Sequence, residues 1–101
     1  SIGTAQYLTP TELNAFIEKI SKKKNLDLFL QEPVKCDFLK KNKMSEHRSD
    51  ISFNHNYEKY LILNKMIINQ KEITTPYDNA YGHHSNTCNY FISAKTNINR
   101  K

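Results

Sequence analysis

The stretch NYEKYLILNKMIINQKE, residues 56–72, contains the densest run of apolar side chains in the chain. Its apolar and aromatic members are Tyr57, Tyr60, Leu61, Ile62, Leu63, Met66, Ile67 and Ile68. On a helix with about 3.6 residues per turn they form a broad apolar face, with further apolar side chains on the far side. We therefore expect a central helix over residues 56–72, capped by Asn56 and covered by neighbours on more than one side.

The same stretch has an alternative interpretation as a β-hairpin. Residues 60–63 would pair with residues 66–68 through a turn at Asn64 and Lys65. Two-residue hairpin turns favour Gly, which this turn lacks, and an apolar segment of this length is more typical of a helix than of a strand. The sequence favours the helix and leaves the hairpin open.

A second helix is predicted upstream by a specific start signal. Thr9 can cap the first free N–H groups, Pro10 occupies the first helical position, and Glu12 can complete a capping box. Apolar residues then recur at helical spacing, so we expect a helix over residues 10–24.

The rest of the chain predicts a small sheet. Residues 26–31 alternate as a half-buried strand does, and Glu32-Pro33 is expected to end it. Residues 34–39 form either a second strand or a helical turn, residues 89–94 form a last strand, and residues 5–8 form a short edge strand. The predicted fold class is α+β, with two main helices packed on a small antiparallel sheet.

Length predicts a single domain over residues 1–101, with a polar, flexible tail at residues 95–101. The chain begins with Ser rather than Met, so we expect it to be a fragment of a larger protein. No run approaches the roughly 20 apolar residues of a membrane-spanning helix. We expect no membrane partner and an intracellular location, cytoplasmic or nuclear.

The two cysteines, Cys36 and Cys88, are far apart in sequence and are interpreted as buried, unpaired thiols. A single disulfide is one alternative. Another is a zinc site in which His84 and Cys88, spaced i,i+4, are joined by Cys36 and His47. The favoured interpretation includes neither a metal nor a cofactor.

The net charge of +5 favours a partner that carries phosphates. Thirteen of the fifteen cationic side chains are Lys, however, whereas sites that grip phosphates bidentately favour Arg. The candidate nucleic-acid-binding residues are Lys22, Lys23, Lys24, Lys40, Lys41, Lys43, Arg48, Arg100 and Lys101. The leading hypothesis is a non-enzymatic domain that binds nucleic acid; the alternative is a protein–protein interaction domain whose lysines only keep it in solution.

Histidines in loops supply a second alternative. Two histidines can cleave a phosphodiester as base and acid without a metal. His55, at the start of the predicted central helix, and His83 or His84 in a later loop are the candidate catalytic residues of a small toxin-type ribonuclease. With only two Gly in the chain there is no Gly-rich phosphate loop, and the overall balance leans away from an enzyme.

Aromatic side chains near lysines could stack bases, but the favoured interpretation is that they fill the core in a chain without Trp. The aromatic residues expected in the core are Phe16, Phe29, Phe38, Tyr60 and Phe91.

Overall fold

The computed structural model describes residues 3–74 and 87–97, and the structural statements that follow concern these residues. The elements in chain order are a 3₁₀ turn Ala5–Tyr7, α1 Pro10–Ser21, β1 Asp27–Lys35, a 3₁₀ helix Cys36–Lys40, β2 Ser45–His47, β3 Phe53–His55, α2 Tyr57–Leu63, β4 Ile67–Thr74 and β5 Thr87–Lys95. Two helices and antiparallel strands make an α+β fold, which confirms the predicted class.

Helix α1 begins as the sequence predicts. The Thr9 hydroxyl accepts from the Glu12 backbone N–H at 3.2 Å, and the Glu12 carboxylate accepts from the Thr9 N–H at 2.9 Å. The helix ends at Ser21, three residues earlier than expected, and Asn25 then adopts a positive φ of 53°. Asn tolerates this left-handed conformation, which turns the chain from α1 into β1.

The prediction of a helix over residues 56–72 is wrong beyond Leu63. Asn56 does cap α2, accepting from the Lys59 N–H, but Lys65 adopts a φ of 62° and the chain continues as strand β4. Isoleucines at the start of β4 favour an extended backbone, and pairing with β5 stabilises it. The hairpin alternative is wrong as well, because residues 60–63 are helical.

The main sheet has the order β1-β5-β4 with antiparallel neighbours, and β2 and β3 form a separate antiparallel pair. The expectation that Glu32-Pro33 ends the first strand is wrong, since β1 runs to Lys35. Pro33 fits there because β1 is an edge strand, where a residue without an N–H loses no pairing bond. A 3₁₀ turn replaces the edge strand expected at residues 5–8.

The core lies between one face of the sheet and the two helices. Its buried members include Leu13, Ile17, Leu28, Leu30, Val34, Phe38, Tyr57, Tyr60, Leu61, Tyr90, Ile92 and Ala94. Of the aromatic residues expected in the core, Phe38 and Tyr60 are buried, whereas Phe16 and Phe29 are 38% and 55% exposed. Phe29 is exposed because side chains alternate along β1 and its neighbours Leu28 and Leu30 take the inner face.

Cys36 and Cys88 form a disulfide, so the interpretation as unpaired thiols is wrong. Strand pairing brings them together: Val34 lies opposite Cys88, and Cys36 begins the 3₁₀ helix just beyond the end of β1. The zinc alternative loses both sulfur ligands. Within residues 3–74 and 87–97, no group of three or more His, Cys, Asp or Glu side chains is arranged to hold a metal ion.

Neither helix in the described part of the chain has the length and apolar character needed to cross a membrane.

Candidate functional site

His55, the one candidate catalytic residue within the described ranges, lies buried in the core. Its Nε2 is 2.8 Å from the Leu8 carbonyl oxygen, and its Nδ1 is 2.6 Å from the Ser45 hydroxyl oxygen. The Tyr60 hydroxyl is 2.5 Å from the same Ser45 oxygen. The ring therefore joins the N-terminal segment, strand β2 and helix α2.

The carbonyl oxygen of Leu8 fixes which atom donates and which accepts in this chain of hydrogen bonds. A carbonyl oxygen only accepts, so His55 Nε2 carries a hydrogen and donates to Leu8. In the neutral ring Nδ1 then accepts from Ser45, whose oxygen accepts from Tyr60. Burial lowers the pKa of His55, while the hydrogen bond to Leu8 opposes that shift. The ring is thus neutral near pH 7, and in that state all three hydrogen bonds of the chain can form.

A hydroxyl beside an imidazole is also the arrangement of a nucleophile and its base. Here the ring is enclosed by the aromatic side chains of Phe53, Tyr57 and Tyr60, and both of its nitrogens are already bonded within the protein. We interpret the chain of bonds as a structural clasp. His83 and His84 lie outside the described residues, so the two-histidine ribonuclease stays a prediction.

Arg48, a candidate phosphate contact, makes a hydrogen bond within the protein. Its Nη2 donates to the Gln6 side-chain oxygen, and the Gln6 backbone N–H donates to the buried Glu32 carboxylate at 3.1 Å. The pKa of Tyr57 is raised, first by burial and then by the Glu32 charge, and lowered in part by Arg48. Arg48 Nε and the Tyr57 hydroxyl are buried without a partner among the described residues. Arg48 is thus bonded within this chain through Nη2.

The candidate lysines fall into two clusters that lie at opposite ends of β1. Lys22, Lys23 and Lys24, here called the tri-lysine, directly precede the turn into β1. The second lysine cluster, which consists of Lys40, Lys41 and Lys43, lies at and just beyond the end of the 3₁₀ helix that follows β1. Strand β1 is about 26 Å long at roughly 3.3 Å per residue. The two clusters cannot both serve one short continuous contact. Arg100 and Lys101 lie outside the described residues.

Their electrostatic surroundings differ. Lys41 and Lys43 share the Glu46 carboxylate, at 3.2 and 3.7 Å. Glu46 is opposite Asn54, which accepts from the Lys35 N–H, and this places the second cluster at the C-terminal end of β1. The tri-lysine is exposed and makes no ion pair within residues 3–74 and 87–97.

Beside the tri-lysine a cleft of 420 Å³ opens where β1, β4 and β5 meet at one end of the sheet. Its lining residues are Asn25, Leu26, Asp27, Ile67, Lys95, Thr96 and Asn97. We call it the sheet-end cleft. The Thr96 N–H donates to the Leu26 carbonyl at 2.9 Å and the Leu26 N–H donates to the Thr96 hydroxyl at 3.1 Å, which holds the two walls together.

The cleft combines several chemistries. Asp27 lies directly opposite Lys95, Ile67 contributes a partly exposed apolar wall, and Asn25 supplies an amide. Lys24 directly precedes Asn25 in the chain, so the C-terminal end of the tri-lysine adjoins the cleft. Sequence reasoning found the tri-lysine as a run of like charges but missed Lys95, because only strand pairing brings residue 95 next to residues 25–27.

Comparison with known proteins found no matching family model, no matching curated protein and no matching solved structure.

Proposed function

We propose that the protein is a non-enzymatic binding domain that contacts single-stranded nucleic acid at the sheet-end cleft. The observation that carries the proposal is the position of the exposed tri-lysine beside a cleft lined by a further lysine, amide side chains and apolar surface.

Each part of a nucleotide has a counterpart there. The tri-lysine supplies ammonium groups for phosphates, and a volume of 420 Å³ falls within the range of sites that enclose small ligands. Asn25 can hydrogen-bond a base edge, and Ile67 can contact the flat face of a base or a sugar. The Asp27 carboxylate repels phosphate, which directs the backbone towards the tri-lysine.

A single strand fits this arrangement better than a duplex. A base can enter a cleft only when it is unstacked and unpaired, as in single-stranded loops and ends. None of the described residues that line the cleft is aromatic, so stacking, the usual source of affinity without sequence preference, is weak among them. We therefore expect binding dominated by phosphates and strongly dependent on salt.

The test is fluorescence anisotropy with labelled single-stranded RNA and DNA from about 50 to about 200 mM salt. The variant Lys22→Gln/Lys23→Gln/Lys24→Gln should reduce the slope of log K against log salt by about 2, since each single-strand phosphate contact contributes about 0.7. The matched control Lys40→Gln/Lys41→Gln/Lys43→Gln removes the same charge at the other end of β1 and should change the slope by less than about 0.7.

Equal losses in the two triple variants would show that only net charge matters and would overturn the assignment of the site. Absence of binding by the wild-type protein at low salt would overturn the function. The single variant Lys95→Gln tests the cleft itself, and its affinity should fall by about threefold to tenfold, which corresponds to roughly 1 kcal/mol.

The disulfide bears on location. Disulfides persist mainly in oxidising compartments and are rare in the cytosol. The Cys36–Cys88 bond therefore favours an oxidising compartment over the intracellular location expected from the sequence. Trapping free thiols with a maleimide during cell lysis tests this directly: protection of both cysteines supports it, and labelling of both contradicts it.

A further inference from the structure

Helix α2 leaves two neighbouring aliphatic side chains in solvent. Ile62 is 58% exposed and Leu63 is 59% exposed. They follow Lys59 by three and four residues, so the three side chains share one side of the helix. Tyr57, Tyr60 and Leu61 on the other side are buried. The side that carries Ile62 and Leu63 is therefore an outer surface of the molecule.

The segment before β2 forms the opposite wall of a groove along this surface. Lys59 donates to the Asn42 side-chain oxygen at 2.9 Å, and the Asn56 N–H donates to the Met44 carbonyl at 2.8 Å. The groove has a volume of 490 Å³ and is lined by Asn42, Met44, Lys59, Ile62 and Leu63. We call it the α2 groove. Because both hydrogen bonds connect its two walls, it is already formed without a ligand.

The rim of the α2 groove is cationic. Lys59 is one of its lining residues, and Lys41 and Lys43 flank Asn42 in the chain. Glu46 balances part of this charge through its contacts with the two flanking lysines. Glu58, the other carboxylate near the start of α2, is bonded to Lys71 at 2.9 Å. The remaining positive charge at the rim of the groove favours a ligand with negative charge.

We propose that the α2 groove binds a segment of another protein that combines acidic with aliphatic side chains. The aliphatic side chains would pack on Met44, Ile62 and Leu63, and a carboxylate would take the place of Asn42 as the partner of Lys59. Ion pairs of this kind steer association and suppress partners of the wrong charge, while burial of the aliphatic groups supplies most of the affinity.

Two other occupants fit the groove less well. None of its five lining residues is aromatic, so it offers no stacking surface for a nucleic-acid base. A second copy of this chain would carry a net charge of +5 and would present the same lysines to one another across a two-fold axis. The groove shares no lining residue with the sheet-end cleft, so this proposal does not depend on the proposed function.

The experiment is a selection of random peptides displayed on phage against the immobilised protein. The selected peptides are then measured by anisotropy with the wild type and with Ile62→Ser/Leu63→Ser. We expect enrichment of Asp or Glu together with Leu, Ile or Met, and a loss of affinity of at least about tenfold in the double variant. Lys59→Gln should weaken the same peptides by several-fold, more at low salt than at high salt.

Ile51→Ser is the matched control, because Ile51 is 71% exposed but lies outside the groove. No enrichment, enrichment of basic peptides, or peptides that bind the double variant as well as the wild type would overturn the proposal. Equal losses in Ile51→Ser and Ile62→Ser/Leu63→Ser would do so too. A dimer in sedimentation that dissociates in Ile62→Ser/Leu63→Ser would assign the groove to a second copy instead.

Discussion

The two edges of the three-stranded sheet satisfy the same physical requirement in different ways. Along β1, other parts of the chain take up the outward backbone groups: the Gly3 N–H donates to the Gln31 carbonyl at 2.8 Å, and the Lys35 N–H donates to Asn54 at 2.9 Å. Pro33 between them has no N–H to leave unpaired. This edge is closed by tertiary contacts.

Strand β4 forms the other edge, and among the described residues no other segment bonds to its outer side. Two features of the strand itself protect this edge from pairing with another chain. The pairing with β5 shifts register between Ile68 and Gln70, and Lys71 on the inner face is bonded to Glu58 of α2 at 2.9 Å. Bulges and inward-pointing charges both discourage an edge strand from pairing with another chain.

The difference indicates where stability is concentrated. The β1 side carries the disulfide, the His55 clasp and the buried Glu32, all of which join distant parts of the chain. The β4 side consists of mostly exposed side chains and one surface ion pair. We therefore expect substitutions on the β1 side to cost much more free energy of unfolding than substitutions on the β4 side.

The largest effect is expected from removing the disulfide. The bond connects residues separated by 52 positions, and closing a loop of that size stabilises the folded state by about 4 kcal/mol in the chain-entropy model. The variant Cys36→Ser/Cys88→Ser should lose about that much in urea unfolding. A loss below about 1 kcal/mol would show that the β1 side does not depend on this covalent link.

His55→Ala should come next, with a loss of about 3 kcal/mol. It removes a buried ring and leaves the Leu8 carbonyl and the Ser45 hydroxyl without their partner. His47→Ala is the matched control, because His47 is exposed, and it should change stability by no more than about 0.5 kcal/mol. Similar losses in the two variants would contradict the clasp.

The pH dependence checks the same residue independently. Burial lowers the pKa of His55 in the folded state, so the unfolded chain binds the proton more readily. The stability that His55 contributes is complete above the unfolded pKa of about 6.5 and is lost as pH falls from there through the lower folded pKa. His55→Ala should flatten this part of the stability profile, and a profile unchanged by the substitution would contradict the assignment.

The smallest effect is expected at the β4 edge. Lys71→Ala removes a partly exposed ion pair with Glu58, and such pairs contribute about 0.2 to 1 kcal/mol. A double-mutant cycle with Glu58→Ala should give a coupling energy in that range, smaller at high salt. A coupling above about 2 kcal/mol would show that the β4 side is as strongly reinforced as the β1 side.

Local signals in the sequence predicted the fold class and the start of helix α1. They failed where contacts with residues distant in sequence determine the local structure. The capping box joins Thr9 to Glu12, three positions later, so it could be predicted from the sequence. The end of α2 at Leu63 was not, because apolar residues continue beyond it and only pairing with β5 makes residues 67–74 a strand. The expected core position of Phe29 is wrong because Leu28 and Leu30, on either side of it, take the buried face of β1.

The candidate sites divide in the same way. The tri-lysine was evident in the sequence as a run of charge. Arg48 was likewise a candidate phosphate contact, but its hydrogen bond to Gln6 could not be read from the sequence. Neither the sheet-end cleft nor the α2 groove was predicted, since each is lined by segments distant in sequence. Lys95 and Asp27, for example, lie opposite one another only because β1 and β5 pair.

By itself the sequence determined what its short-range chemistry encodes: the start of helix α1, the alternation of buried and exposed side chains along the first part of β1, the α+β class and a positive net charge. Tertiary structure alone decided that Cys36 meets Cys88, that His55 lies inside a clasp, and that two lysine clusters occupy opposite ends of one strand. The physical reason is that propensity and capping act within a few residues, whereas disulfides, buried hydrogen bonds and clefts depend on which distant strands pair.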